Sequence, residues 1–403
     1  MSKMDDLIVI GGGAAGIFAA LAAKESAPQA IVSVLEKNQA LLSKVRISGG
    51  GRCNVTHACF DQRLLVQNYP RGHKELLGPF TQFQPKNTIE WFEKHGVALK
   101  IESDGRMFPI TDSSSTIIEC LLGQAEALDV AILTQKKIEQ IEKSDSGFII
   151  YLKEGEIRRS KALLLATGSS REGYRWAQQL GHTLQEPIPS LFTFNVPGFV
   201  LQHLSGISIE CAEVKILNSN FSQKGPLLIT HFGLSGPAIL KLSAWAARFL
   251  YTCGYHADIS IRWVCDHSEE SAHQIFKQAK HNHPQKLFSS FNPFHLPKNL
   301  WRTLLEETAN QKLMAISDKR LRILAQKLQK DLYKIEGKTI NKEEFVTCGG
   351  VTLNEIDFKT MQSKKCPGLF FAGEILDIDG VTGGFNFQNA WTTGYIAGRH
   401  TCF

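Results

Sequence analysis

The sequence has no C-x-x-C pair, no internal repeat, no low-complexity tract and no run of about 18 apolar residues. A membrane-spanning helix is therefore not expected. Its nine cysteines, at positions 53, 59, 120, 211, 253, 265, 348, 366 and 402, are odd in number and scattered. That pattern argues against a zinc site and a dithiol–disulfide reductase, and for a reducing compartment. Residues Met1 to Asp6 carry two acids and one lysine before a short apolar run, unlike the basic, apolar, small-residue order of a secretory leader. The expectation is a cytoplasmic protein with no metal and no membrane partner.

What is present is ordinary globular composition, 43% apolar and 21% charged in 403 residues, which suits two or three domains. The net charge of +6 is unevenly placed. Residues 272–345 hold 14 Lys/Arg against 7 Asp/Glu, so the rest of the chain is close to neutral.

Leu7 to Ile10 is a buried-strand run, Gly11 to Gly16 a glycine turn, Ile17 to Glu25 an alanine-rich helix and Ala30 to Leu35 a second strand, which together form a βαβ unit. Within the turn, Gly11, Gly13 and Gly16 form G-x-G-x-x-G. The first glycine permits the tight turn, the second lets a pyrophosphate reach the backbone, and the third lets helix and strand pack closely. Glu36 closes the second strand, where a carboxylate accepts both ribose hydroxyls. The pattern returns at the far end of the chain. Gly368 to Glu374 is an apolar strand ending in an acid, and Gly383-Gly384 opens a helix whose free N–H groups suit the electron-rich edge of a flavin. These features point to FAD. No second G-x-G-x-x-G follows a strand, since Thr347 to Val351 lacks the spacing, so NAD(P)H is expected only as a transient reductant.

The fold expected is α/β: a Rossmann-type, glutathione-reductase-like FAD domain (1–189 plus 346–403) interrupted by a β-rich insert (190–268) and a basic helical subdomain (269–345). In the last of these, Leu321, Leu324 and Leu328 lie at helical spacing behind Ser317 and Asp318. Lys319, Arg320, Lys327 and Lys330 fall on the other face.

The stretches Ile10 to Gly16, Ser43 to Thr56, Asp104 to Pro109, Thr230 to Pro237 and Gly373 to Asn389, taken in order, closely resemble the YhiN-like (BaiN/RdsA) flavoproteins over nearly the whole chain. That resemblance implies FAD, a discontinuous Rossmann domain, an inserted β-domain with a helical cap, and an NAD(P)H-linked oxidoreductase. One branch of the family acts on large-subunit ribosomal RNA as a dihydrouridine synthase, and another is linked to bile-acid reduction. The cofactor-binding residues expected along these motifs are Gly11, Gly13, Ala15, Gly16, Glu36, Lys37, Lys44, Ser48, Gly50, Gly51, Arg52, Asn54, Thr167, Gly168, Gly373, Glu374, Gly384, Phe385, Asn386, Gln388 and Asn389.

Three residues are catalytic candidates, each with a structural alternative. Cys53 is a proton donor beside the flavin or a compact buried hydrophobe. His231 is a catalytic acid or a structural histidine in a turn. Arg106 clamps a substrate carbonyl or phosphate, or caps a β-turn. The basic segment 269–345 has two readings as well. Its cations, with Phe276, Phe288, Phe291, Phe294 and Trp301, either hold RNA or form a solvated face over an aromatic core. Three function classes follow: reduction of uridine in ribosomal RNA, NAD(P)H-linked oxidoreduction of a small apolar molecule, and a flavin-stabilised RNA-binding protein without catalysis.

Overall fold

A computed structural model of the chain describes residues 4–153, 155–339 and 346–402. Backbone contacts divide it into two compact units, Met1–Pro189 with Lys342–Phe403, and Ser190–Asn341.

The first unit is built on a nine-stranded mixed sheet with a parallel centre. Its parallel strands are β1 (Asp5–Ile10), β2 (Val32–Leu35), β3 (Ala131–Leu133), β4 (Ile157–Leu165) and β5 (Leu369–Phe371), in spatial order β5-β4-β1-β2-β3, and antiparallel strands flank them. Leu7, Ile8 and Val9 have no exposed surface. A strand covered on both faces reads as a continuous apolar run, which is why β1 is legible without alternation. Helix Ala14–Ser26 connects β1 to β2. Residues near the C-terminus join the same sheet because Phe371 pairs with Leu165 of β4. The last helix, Phe385–His400, then lies on helix Ala14–Ser26, where a side chain on Gly394 or Gly398 would strike the carbonyl oxygens of Ala15 and Ala19. Two helices approach this closely only where one lacks side chains. Gly349 and Gly350 are used in the same way. They sit in strand Val346–Val351, which pairs with Leu184–Ser190, and their bare α-carbons abut the carbonyls of Glu186 and Ile375.

The second unit is a seven-stranded sheet in the order Asp331–Glu336, His256–Arg262, Ser208–Ile216, Ser222–Ile229, Gly233–Ser235, Thr193–Asn195, Lys338–Thr339. The stretch read as β-rich also contains helices Pro237–Trp245 and Ala247–Thr252. Gly236-Pro237 marks the start of the first of these, with proline at its opening position, and not an isolated turn. Strands and helices share one core running from Phe192 to Ile335. Helix Asp318–Gln329 buries Leu321, Leu324 and Leu328, and Ser317 caps it by accepting from the Arg320 N–H at 3.2 Å.

Candidate dinucleotide site

The glycine turn shows three different uses of a missing side chain. Gly11 has φ +113°, and a Cβ there would meet the carbonyl oxygen of Ala166 on the neighbouring strand. A Cβ on Gly16 would meet the carbonyl of Gly11. Gly13 differs, since its backbone is extended (φ −90°, ψ −171°) and an added Cβ would meet nothing within 4 Å. The room left open at Gly13 lies at the N-terminus of helix Ala14–Ser26, whose first turn carries no acidic residue. Open space, free N–H groups and a positive helix end suit a pyrophosphate.

Glu36 is pinned by the backbone, one carboxylate oxygen accepting from Gly12 N and the other from Asn38 N, both at 2.8 Å. Each oxygen keeps a lone pair for a ribose hydroxyl. Lys37 pairs with Glu172 at 3.2 Å. Lys44 pairs with Glu374, whose other oxygen accepts from Thr347 N at 2.9 Å. Glu374 is thus held between strand Val346–Val351 and helix Ser43–Gly51.

The helix Ser43–Gly51 breaks at Ser48, where ψ turns to 148°, and Gly49, Gly50 and Gly51 follow with φ of +59°, +69° and +84°. Side chains on Gly50 and Gly51 would meet nothing within 4 Å, so this backbone too stands open. Arg52 is engaged elsewhere, bonding Glu102 at 2.6 Å and lying 4.0 Å over the Phe108 ring. Asn54, in the amide orientation that satisfies its neighbours, accepts from Gly384 N at 3.0 Å and donates to Thr56 O at 3.0 Å.

Cys53 corrects one expectation. It has no exposed surface even with the dinucleotide room open, and burial pushes its thiol up to about 12. A group with no accessible surface touches neither flavin nor substrate, so Cys53 is the compact buried hydrophobe. Arg106 lies at the turn. Its Nε donates to Asp104 at 2.7 Å and its Nη2 to Glu102 at 3.0 Å, bracing the Glu102–Gly105 turn. His231 belongs to the second unit, exposed at the tight turn where Thr230 N bonds Gly233 O.

At the C-terminal motif the helix begins as expected, but several of its polar groups face inward. Gln388, fully buried, accepts from the Thr56 and Thr88 hydroxyls at 2.6 and 2.9 Å and donates to Thr392 at 3.0 Å. Asn386 brackets Gly380 with two bonds of 2.8 and 2.9 Å. Phe385 is buried and stacked on His57, ring centroids 4.6 Å apart. Gln388 and Asn386 therefore peg the loop in place, and Gly384 N is already taken by Asn54. Gly373 packs on Ala15 and donates to the Thr393 hydroxyl at 2.9 Å. Gly168 turns the backbone beyond β4 with φ +57°, close to Glu374. Thr167 Oγ1 and Asn389 Oδ1 are buried with no protein partner. Buried polar atoms are normally satisfied, so these two orphans, with the open room at Gly13, Gly50 and Gly51, fit a bound cofactor.

Two features escaped sequence reasoning. Arg71 clasps the fully buried Asp379 through Nε and Nη2, fixing the loop before Gly383. His57 Nδ1 sits 3.0 Å from Gly383 O on the same loop. Neither pairing, each more than 300 positions apart, leaves a local signal.

The insert yields another correction. Phe276, Phe288 and Trp301 have no exposed surface and pack edge to face, with Phe288 5.2 Å from Phe276 and 5.8 Å from Trp301, while Phe291 and Phe294 lean on the same core. Phe276, Phe288 and Trp301 are core and not a stacking platform, and Phe291 and Phe294 are half-buried against it. Arg320 pairs with Glu306 and Glu307 at 2.9 and 2.7 Å, and Lys327 pairs with Glu306. Among the described residues no helix is long and apolar enough to cross a membrane, and no group of three His, Cys, Asp or Glu side chains could hold a metal.

Sheet order, glycine turn and strand-end acid together define the class: a Rossmann-type oxidoreductase of the FAD-binding kind. The chain belongs to the HI0933-like family, whose Rossmann-domain profile matches residues 5–400. It is 28% identical over 409 residues to a 3-dehydro-bile acid Δ4,6-reductase of Clostridium scindens, covering 98% of both chains. It is 29% identical over 413 residues to a ribosomal RNA dihydrouridine synthase of Escherichia coli, covering 98% of this chain and 97% of that one. Among solved structures, a 3-ketosteroid Δ4-(5α)-dehydrogenase of Rhodococcus jostii shares the fold, with a TM-score of 0.53 at 14% identity over 100% of this chain and 97% of that chain.

Proposed function

We propose that the chain is an FAD-dependent oxidoreductase that saturates a carbon–carbon double bond, that its substrate is a uridine of large-subunit ribosomal RNA, and that NAD(P)H is its transient reductant. The two relatives' names describe different molecules but one kind of chemistry, reduction of a conjugated C=C bond. The observation that favours RNA is the state of the cations on the second unit. Lys286, Lys298, Arg302, Lys319, Lys330 and Lys334 are exposed and carry no ion pair among the described residues. Exposed unpaired cations add little to stability, whereas a polyanion neutralises them with release of counterions. An RNA substrate also places the enzyme in the cytoplasm with the ribosomes.

In this reading the turn at Gly13 admits the pyrophosphate, Glu36 accepts the ribose hydroxyls, and the open room at Gly50 and Gly51 lets the cofactor approach the backbone. Bound FAD supplies the hydride. The proton for the second carbon must come from a group with accessible surface, which removes Cys53 and leaves His231 as the candidate acid. A base within folded RNA leaves its stack to be reduced, and the cations hold the flanking phosphates while it does so.

The test is anaerobic mixing of the photoreduced enzyme with a large-subunit rRNA fragment or with a steroid dienone, following flavin absorbance. Rapid reoxidation by RNA with formation of dihydrouridine is expected. Reoxidation by the dienone alone would move the assignment to a small apolar substrate.

A further inference from the structure

Thr230 to Gly233 turns the chain between strands Ser222–Ile229 and Gly233–Ser235. The roots of this turn are core, since Ile229, Leu234 and Phe194 on the neighbouring strand Thr193–Asn195 are all buried. Two backbone bonds fix its tip, Thr230 N donating to Gly233 O at 2.8 Å and Val196 N donating to Phe232 O at 2.9 Å. Gly233, with φ +151°, is closed in as well, because a Cβ there would strike the Phe194 carbonyl oxygen. A tip pinned on both sides holds its side chains where the backbone puts them. It puts the Phe232 ring in solvent, 71% exposed, more than any other large apolar side chain among the described residues.

Charge lies close by. The segment from Val196 to Gly206 flanks the turn, since Gly206 N donates to Ile229 O at 2.9 Å, and it carries a second exposed apolar residue, Val200. Its His203 lies 3.1 Å from Val200 O and 3.2 Å from Thr303 Oγ1, which ties the segment to helix Lys298–Leu305. That helix carries Lys298 and Arg302, both exposed and without an ion pair among the described residues. Sites for single-stranded nucleic acid combine the same two elements, cations that track the backbone and an aromatic face that takes a base.

We propose that Phe232 is the platform on which an unpaired pyrimidine base of single-stranded RNA stacks, with Lys298 and Arg302 on the flanking phosphates, an assignment that rests on the RNA reading above. A base drawn out of folded RNA gives up its stacking neighbours, and a fixed phenyl face restores one. The ring is uncharged, so its contribution does not change with salt, unlike that of the cations.

The experiment measures binding of the flavin-loaded full-length protein to a short oligouridylate, and to a ribose–phosphate chain of the same length without bases, by fluorescence anisotropy across a salt series. Phe232→Ala should weaken oligouridylate binding about 5- to 150-fold, leave binding of the base-free chain unchanged, and keep the wild-type salt slope. Phe232→Trp should retain wild-type affinity. Phe232→Leu, apolar but without a π-face, should match the alanine variant. Wild-type oligouridylate affinity in the alanine or leucine variant, or an equal loss on both chains, would overturn the platform while leaving RNA as the substrate. Wild-type protein that binds neither chain would overturn both the platform and the RNA reading on which it rests.

Discussion

The quadruple variant Lys298→Ala, Arg302→Ala, Lys319→Ala, Lys330→Ala removes exposed cations with no ion-pair partner among the described residues, and none of the four is buried. It should therefore keep its fold. If each cation meets one phosphate of single-stranded RNA, the slope of log affinity against log salt falls by about 0.7 per residue, or about 2.8 in all. Raising salt fourfold should then weaken wild-type binding roughly 50-fold more than it weakens the variant. A second variant supplies the contrast. Arg320 and Lys327 are already neutralised by Glu306, so Arg320→Ala, Lys327→Ala and Glu306→Gln together should change the slope by less than about 0.7. The assay is fluorescence-anisotropy titration of one labelled rRNA fragment from low to moderate salt. Equal slopes for wild type and the quadruple variant would refute the assignment of these cations to phosphates.

Gly13→Val should fold normally, since its backbone is extended and a Cβ meets nothing within 4 Å, yet lose most of its flavin on gel filtration. Full flavin occupancy would show that no pyrophosphate lies there. Glu36→Ala strips Gly12 N and Asn38 N of their acceptor and should cost about 1–3 kcal/mol along with flavin retention, checked by denaturant titration and absorbance. Cys53→Ala should lower stability by about 1 kcal/mol without slowing single-turnover reduction of substrate. His231→Ala should slow that step and leave flavin content unchanged, because the residue lies outside the unit that carries the glycine turn. Stability should also fall with acid. Burial holds His182 below the ordinary histidine value of 6.5, its Nδ1 2.9 Å from Glu355 and its Nε2 2.8 Å from Ser363. Below pH 6.5 the unfolded chain takes up a proton the folded chain refuses, so stability declines as pH drops. Burial raises the Glu355 carboxyl, but Lys365 and Thr183 outweigh it and hold it at about 2 instead of 4.5, so its contribution, full above pH 4.5, is lost as pH falls toward 2. Denaturation midpoints measured from pH 7.5 downward should drop, and less steeply in His182→Gln down to pH 5.

The N-terminal strand, turn and helix were legible because each layer of evidence agrees: a doubly buried strand, glycines where carbonyls crowd, and an alanine-rich helix. The C-terminal half of the site was legible as strand and helix but not residue by residue. Gln388 and Asn386 look like cofactor ligands in one dimension. Which face of helix Phe385–His400 they occupy depends on Thr56, Thr88 and Gly380, placed there by distant chain. Cys53 sits inside a glycine-rich motif, yet its φ of +62° turns it into the core. The aromatics of the insert posed the same difficulty. Phe and Trp among lysines suit a base-stacking surface or a core equally, and only burial distinguishes the two. Arg71 with Asp379 has no sequence signature, since a buried ion pair is defined by proximity that composition does not encode.

The most direct test of the central claim is to map dihydrouridine across large-subunit ribosomal RNA in cells lacking this gene, and again after the gene is restored as wild type or as Gly13→Val. One uridine position should lose its modification on deletion, regain it with the wild-type gene and stay unmodified with the variant. An unchanged set of dihydrouridines in the deletion strain would contradict the claim.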